Sequence, residues 1–193
     1  MCAAHKTSAG LLGSTGSVLT AMVLAGCAPD PAPQAAQAPP SSSVADSAAA
    51  VTWMNGFCGA VKDFIDGNNK MQSASGDTVE AIKKSTSDQL GHYAAILIKT
   101  VDGLGALPAA PVPAGEVAKQ DFLAKYTSAR DKTVKAKADL DAAGKNDTAA
   151  QGRAVEGLIA AQKDTHSALD PVAAILGAPE LKTAAATAQR CRP

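Results

Sequence analysis

Between residues 79 and 104 the chain repeats one spacing: Val79, Ile82, Thr86, Leu90, Tyr93, Leu97, Val101 and Leu104 follow one another at steps of three and four. Over more than three heptads that spacing draws a single stripe along a helix. A stripe of this length is stable only if other helices of similar length cover it. Ahead of it, Asp77-Thr78-Val79-Glu80 has the pattern of a capping box, with Asp77 in the cap position and Glu80 reaching back. Behind it, Leu107-Pro108, Pro111 and Pro113 interrupt the chain.

Three other segments have the same character. The first helix is expected to start at Asp46 or Ser47, either of which can cap it, and to end near Gly67. Its apolar positions are Val51, Met54, Cys58, Val61 and Ile65, with Trp53, Phe57 and Phe64 widening the stripe. The third runs over 114–143 with Phe122, Tyr126, Ala129, Thr133, Ala136 and Leu140 on its inner face, closed by Gly144. The fourth starts at Asp147 or Thr148 and places Val155, Ile159, Gln162, His166 and Leu169 inward. Asp170-Pro171 stops it and opens a further turn. Gly177-Ala178-Pro179 marks another break, and a last helix covers 180–189.

The chain therefore reads as all-α: an up-and-down four-helix bundle with a short C-terminal fifth helix. Aromatic residues are only 3% and alanine dominates, which suits helices and leaves no long β-type alternation. The bundle domain spans 46–193.

The first 45 residues have a different composition. Lys6 precedes a moderately apolar run from Leu11 to Leu24, and no acid occurs before Asp30, the layout of a secretory signal. At about 14 residues the run is shorter than the roughly 20 that a spanning helix needs. It ends in Leu24-Ala25-Gly26-Cys27, which resembles the lipobox of bacterial lipoproteins. That resemblance implies a signal peptide over 1–26, cleavage between Gly26 and Cys27, and diacylglycerol with a further acyl chain on Cys27. The competing reading is an ordinary secretory signal with a chance cysteine. At about 0.8 kcal/mol per buried CH₂, two or three acyl chains anchor a protein stably. Residues 27–45 then form a tether, rich in Pro, Ala and Ser and without core-forming residues.

Cysteine usage is consistent with export. Cys2 would leave with the signal and Cys27 would take lipid, leaving Cys58 and Cys191. An even pair in an oxidising compartment is most simply a disulfide; the rival is two free thiols or a metal pair. The bundle accommodates the bond. If the fourth helix ends level with the start of the first, a short helix from Pro179 climbs beside the first helix and brings Cys191 to Cys58 at mid-height.

Eighteen Lys and Arg balance eighteen Asp and Glu. Removal of 1–26 would take one base and no acid. Such neutrality with mixed charges argues against nucleic acid as a partner. Lys83-Lys84 and the lysines of 132–137 alternate with Asp and small residues, as solvated helix faces do.

No acid, base and nucleophile set resembling an active site is evident, so no enzyme is expected. His92 and His166 are the only histidines beyond the leader, and His166 falls on the expected inner face of the fourth helix. They read as one interior and one surface histidine rather than as a metal site. No Glu-x-x-His pair supports a di-metal centre. Trp53 reads as core rather than as a ligand platform, and Asn146-Asp147-Thr148 as a loop and cap rather than a glycosylation acceptor.

With its lipobox, its Pro/Ala/Ser tether, Trp53-x-x-x-Phe57-Cys58 and the late Cys191-Arg192-Pro193, the chain resembles small helical lipoproteins of the actinobacterial, mycobacterial-type envelope. The resemblance implies a lipid-anchored protein on the extracytoplasmic face of the cell membrane, and implies no activity. Two expectations follow for the domain. One is a non-catalytic helical surface that binds an envelope protein or wall partner. The other is a carrier in which small Ala and Thr residues leave a slot for lipid or another apolar molecule.

Overall fold

A computed structural model describes residues 44–168 and 172–192, with side chains for 46–168 and 175–192. The proposed cleavage and lipidation positions Gly26 and Cys27, the tether up to residue 43, and Leu169-Asp170-Pro171 lie outside the described residues. The described residues are all-helical: α1 Val44–Asn68, α2 Val79–Gly105, α3 Pro113–Ala142, α4 Thr148–Ser167, α5 Val172–Gly177 and α6 Pro179–Thr187, ending in a 3₁₀ turn, Gln189–Cys191.

The long α2–α3 hairpin, about 40 Å at 1.5 Å per residue, is the frame. α4 packs on α3 and touches α2 over one half of it; α1, with α6 beside it, covers the other half. α1 does not run the full height. Its last turn and the last turn of α4 both reach Tyr93, where Phe64 lies 6.1 Å from the ring and Thr165 Oγ1 lies 3.0 Å from the hydroxyl. α4 thus ends level with the end of α1, not with its start. The gap is closed by α5, which packs on α3, and the chain then returns along α1 as α6.

The core is built around rings. All six aromatic residues of the chain join one cluster. Trp53 stacks on Phe57 at 5.2 Å; Phe57 meets Phe122 edge-on at 5.0 Å; Phe122 stacks on Tyr126 at 5.8 Å; and Phe64 meets Tyr126 edge-on at 4.9 Å. Such pairs contribute about 0.5–1.5 kcal/mol each beyond area burial. Trp53, 2% exposed, is a core residue, and its indole N–H donates to the Pro108 carbonyl at 3.2 Å.

The expected inner face of α3 is buried throughout, from Phe122 to Leu140. In α4 the buried side chains are instead Ala150, Ala154, Leu158, Ala161 and Thr165, one residue ahead of the expected set. Val155 is 46% and Ile159 59% exposed, and His166 lies on the surface. In α1 the buried set is Ala50, Trp53, Met54, Phe57 and Phe64, while Ile65 faces out.

Helix starts differ in two places. α1 begins at Val44, so Asp46 sits within its first turn rather than at the position before it. Thr78, not Asp77, caps α2, its hydroxyl accepting from the Ala81 N–H at 3.1 Å. Glu80 pairs with Lys145 at 3.0 Å rather than reaching back. Asp147 caps α4 as expected, accepting from the Ala150 N–H at 2.8 Å.

Candidate functional site

Cys58 and Cys191 form a disulfide that ties α1 to the C-terminal end. Around it Arg190 docks on α1, donating to the Gly59 carbonyl at 3.2 Å and to Asp63 at 2.6 Å; its backbone N–H donates to Asn55 Oδ1 at 3.0 Å. Lys99 of α2 reaches the other Asp63 oxygen at 3.1 Å. The Lys99 hydrogen bond, ahead of the charge of Arg190, holds the Asp63 carboxyl below its ordinary range.

The other side chains of interest stay apart. His92 is exposed, with Nε2 3.4 Å from the Gly67 carbonyl, and His166 is exposed on α4. Of the lysine groups, Lys84 pairs with Asp88, Lys132 with Asp164, Lys135 with Asp139 and Lys137 with Asp141, while Lys83 donates to the Ala143 carbonyl. Among the described residues no three His, Cys, Asp or Glu side chains converge to hold a metal ion, and no helix is long and apolar enough to cross a membrane.

A wide concavity lies between α1 and α6. The disulfide joins the middle of α1 to the turn that follows α6, and the first two turns of α1 together with one face of α6 border a groove of about 960 Å³. Ala50 and Val51 of α1, Val112 of the α2–α3 connection and Ala184 of α6 give it an apolar lining; Asp46 and Glu180 also line it.

The part of the groove formed by the α2–α3 connection is held by a polar network. The Pro108 carbonyl accepts from Trp53 and from Lys119 Nζ at 3.3 Å. Lys119 pairs with Glu116 at 2.9 Å, and Glu116 also accepts from Gln120 at 2.9 Å and from the Ala110 N–H at 3.1 Å. The Gln120 hydrogen bond, then those of Lys119 and Ala110, pull the Glu116 carboxyl down to about 2. Gly115 lets the first turn of α3 close on this network: a Cβ there would come within 2.9 Å of Ala110, 3.2 Å of Leu181 and 3.3 Å of Trp53.

The groove's α6 wall was not evident in the sequence, where Pro111 read only as a break and the last helix only as a fifth element. The one signal was the Ala184-Ala185-Ala186 run, which marks a helix able to lie close to a neighbour. Chemically, the groove offers methyl and methylene surface with hydroxyls and carboxylates beside it. The chain matches no family model, no curated protein and no solved structure.

Proposed function

We propose that this is a lipid-anchored envelope protein, held through Cys27 on the extracytoplasmic face of the cell membrane, whose non-catalytic domain binds an apolar chain in the groove between α1 and α6. The observation that carries the reading is the groove itself: about 960 Å³ with a predominantly apolar lining, toward the upper end of the roughly 300–1,000 Å³ of small-molecule sites. Its apolar lining, with hydroxyls and carboxylates beside it, suits the body of an apolar chain.

The test is direct. Residues 44–193 are produced in an oxidising compartment, their native mass is measured, and they are then incubated with an envelope lipid extract. A retained adduct that raises the melting temperature supports the carrier. A clean apo mass with no uptake from the extract removes it. The anchor is tested separately by Cys27→Ala, which should release the protein from the membrane fraction or leave it unprocessed.

A protein or wall partner is the second reading, favoured by one observation. Val155 and Ile159 lie one turn apart on α4, both largely exposed, and present an apolar ridge on its outer face.

A further inference from the structure

The outer face of α4 carries more than the Val155–Ile159 ridge. α4 buries Ala150, Ala154, Leu158, Ala161 and Thr165 against α3 and α2. At about 100° per residue, the face directly opposite that set is formed by Gly152, Glu156, Ile159 and Lys163, with Val155 at its edge. All five are exposed, so no element among the described residues covers them. Ile159, at 59%, is the most exposed large apolar side chain among the described residues.

The charges on this face are set apart by having no partner. Lys84, Lys135 and Lys137 each pair with an aspartate one turn further along their own helix. Glu156 and Lys163 make no ion pair or hydrogen bond among the described residues. Three and four residues either side of Lys163 stand Ile159, Ala160, His166 and Ser167, none of them an acid.

Two free charges of opposite sign about an exposed isoleucine make the face self-complementary. Glu156 lies three residues before Ile159 and Lys163 four residues after it, two turns apart on the same side of the ridge. In a two-fold antiparallel pair of α4 helices centred at Ile159, each Glu156 stands at the height of the other copy's Lys163. Ile159 meets its own counterpart at the centre. A parallel pairing would set Glu156 on Glu156 and Lys163 on Lys163. Pairing Glu156 with Arg153 instead would centre the contact beside buried Ala154 and bring Ile159 to the level of buried Ala150. Gly152, with nothing within 4 Å of its Cβ position, leaves room for the far end of the other helix.

Granted that the ridge binds protein, as the second reading above has it, we propose that its partner is a second copy of this chain. The two copies join α4 to α4 in an antiparallel two-fold pair, with Ile159 at the centre and two Glu156–Lys163 ion pairs beside it. One helix face buries less than the roughly 1,200 Å² of a stable complex, so the dimer is weak and reversible.

Sedimentation velocity of the full chain against concentration is the test. The unmodified chain is expected to shift reversibly from monomer to dimer. Ile159→Lys should abolish the shift with the helical signal unchanged, because the side chain is exposed. Glu156→Lys or Lys163→Glu alone opposes like charges twice across the axis and should weaken the dimer about tenfold. The double swap of Glu156→Lys with Lys163→Glu should restore it. So should an equimolar mixture of the two single variants, in which every opposed pair is again of opposite sign. Single variants that associate like the unmodified chain, or a double swap as weak as either single, overturn the antiparallel pair. A chain that stays monomeric up to about 1 mM overturns the second copy. In that event a cross-link from α4 to another envelope protein, lost in Ile159→Lys, would keep the ridge as a protein-binding surface; its absence would remove that reading too.

Discussion

Gly157 of α4 faces Ala136 of α3 so closely that a Cβ built on the glycine would lie 2.7 Å from the alanine's Cβ. The contact is between short, stiff groups, so neither side can swing away. α3 and α4 are therefore held in register by the absence of a side chain. A Gly157→Ala variant gains up to about 1 kcal/mol of helix propensity but overpacks the seam at a cost of about 1–3 kcal/mol. Net destabilisation is expected. Gly152, in the same helix with nothing within 4 Å of its Cβ position, should respond oppositely, Gly152→Ala stabilising by up to about 1 kcal/mol. Chemical denaturation of the two variants checks the pair; equal effects would contradict the seam.

This seam also explains which parts of the fold the sequence revealed. α3 carries large residues on its inner face, so apolarity and burial coincide and the stripe from Phe122 to Leu140 reads correctly. α4 buries Ala154, Leu158, Ala161 and Thr165 and leaves Val155 and Ile159 outside. Close helix approach selects small side chains, whereas a periodicity reading selects large ones, and the two stripes lie one residue apart. The same conflict displaced His166 from its expected interior place. Cysteine pairing was legible because parity and compartment alone suggest it. The α1–α6 groove was not, because it depends on two segments more than 120 residues apart in sequence coming together.

The Tyr93 hydroxyl contact with Thr165 joins α2 to α4 inside the core. Removing either partner leaves a buried polar group short of a bond. Tyr93→Phe or Thr165→Val alone should cost about 1–3 kcal/mol, and the double variant less than the sum of the two. A strictly additive double-mutant cycle would show that the bond contributes nothing.

The disulfide closes a separation of 133 residues. By the chain-entropy estimate such a loop contributes about 5 kcal/mol. Cys58→Ser with Cys191→Ser should lower the urea midpoint accordingly and weaken ligand retention, because α6 forms one wall of the groove. An unchanged midpoint would contradict the role given to the bond.

Acid should destabilise the domain in a defined window. Glu116 is held at about 2, below its ordinary 4.5, by Gln120, Lys119 and the Ala110 N–H. A carboxyl lowered on folding stabilises fully above its unfolded value, and that contribution is lost as pH falls through the folded one. For Glu116 the loss runs from about 4.5 down to about 2. Asp63, lowered by Lys99, and Asp141, lowered by Lys137 and Ser87, add to the loss below 3.8. Melting temperature measured against pH should fall across this range, and Glu116→Gln should have a shallower slope. Parallel curves for the two proteins would contradict the network at Pro108.

The groove decides the account most directly, and Thr183 gives access to it. Thr183 is exposed on α6 and lines the groove, so Thr183→Trp fills the space without entering the core. The measurement is native mass after incubation with envelope lipid extract, made on the unmodified domain and on this variant side by side. The account predicts a bound apolar molecule on the unmodified domain and its loss in the variant, with the helical signal and melting temperature of the apo proteins alike. Equal retention by both, or retention by neither, would contradict a groove built to hold an apolar chain.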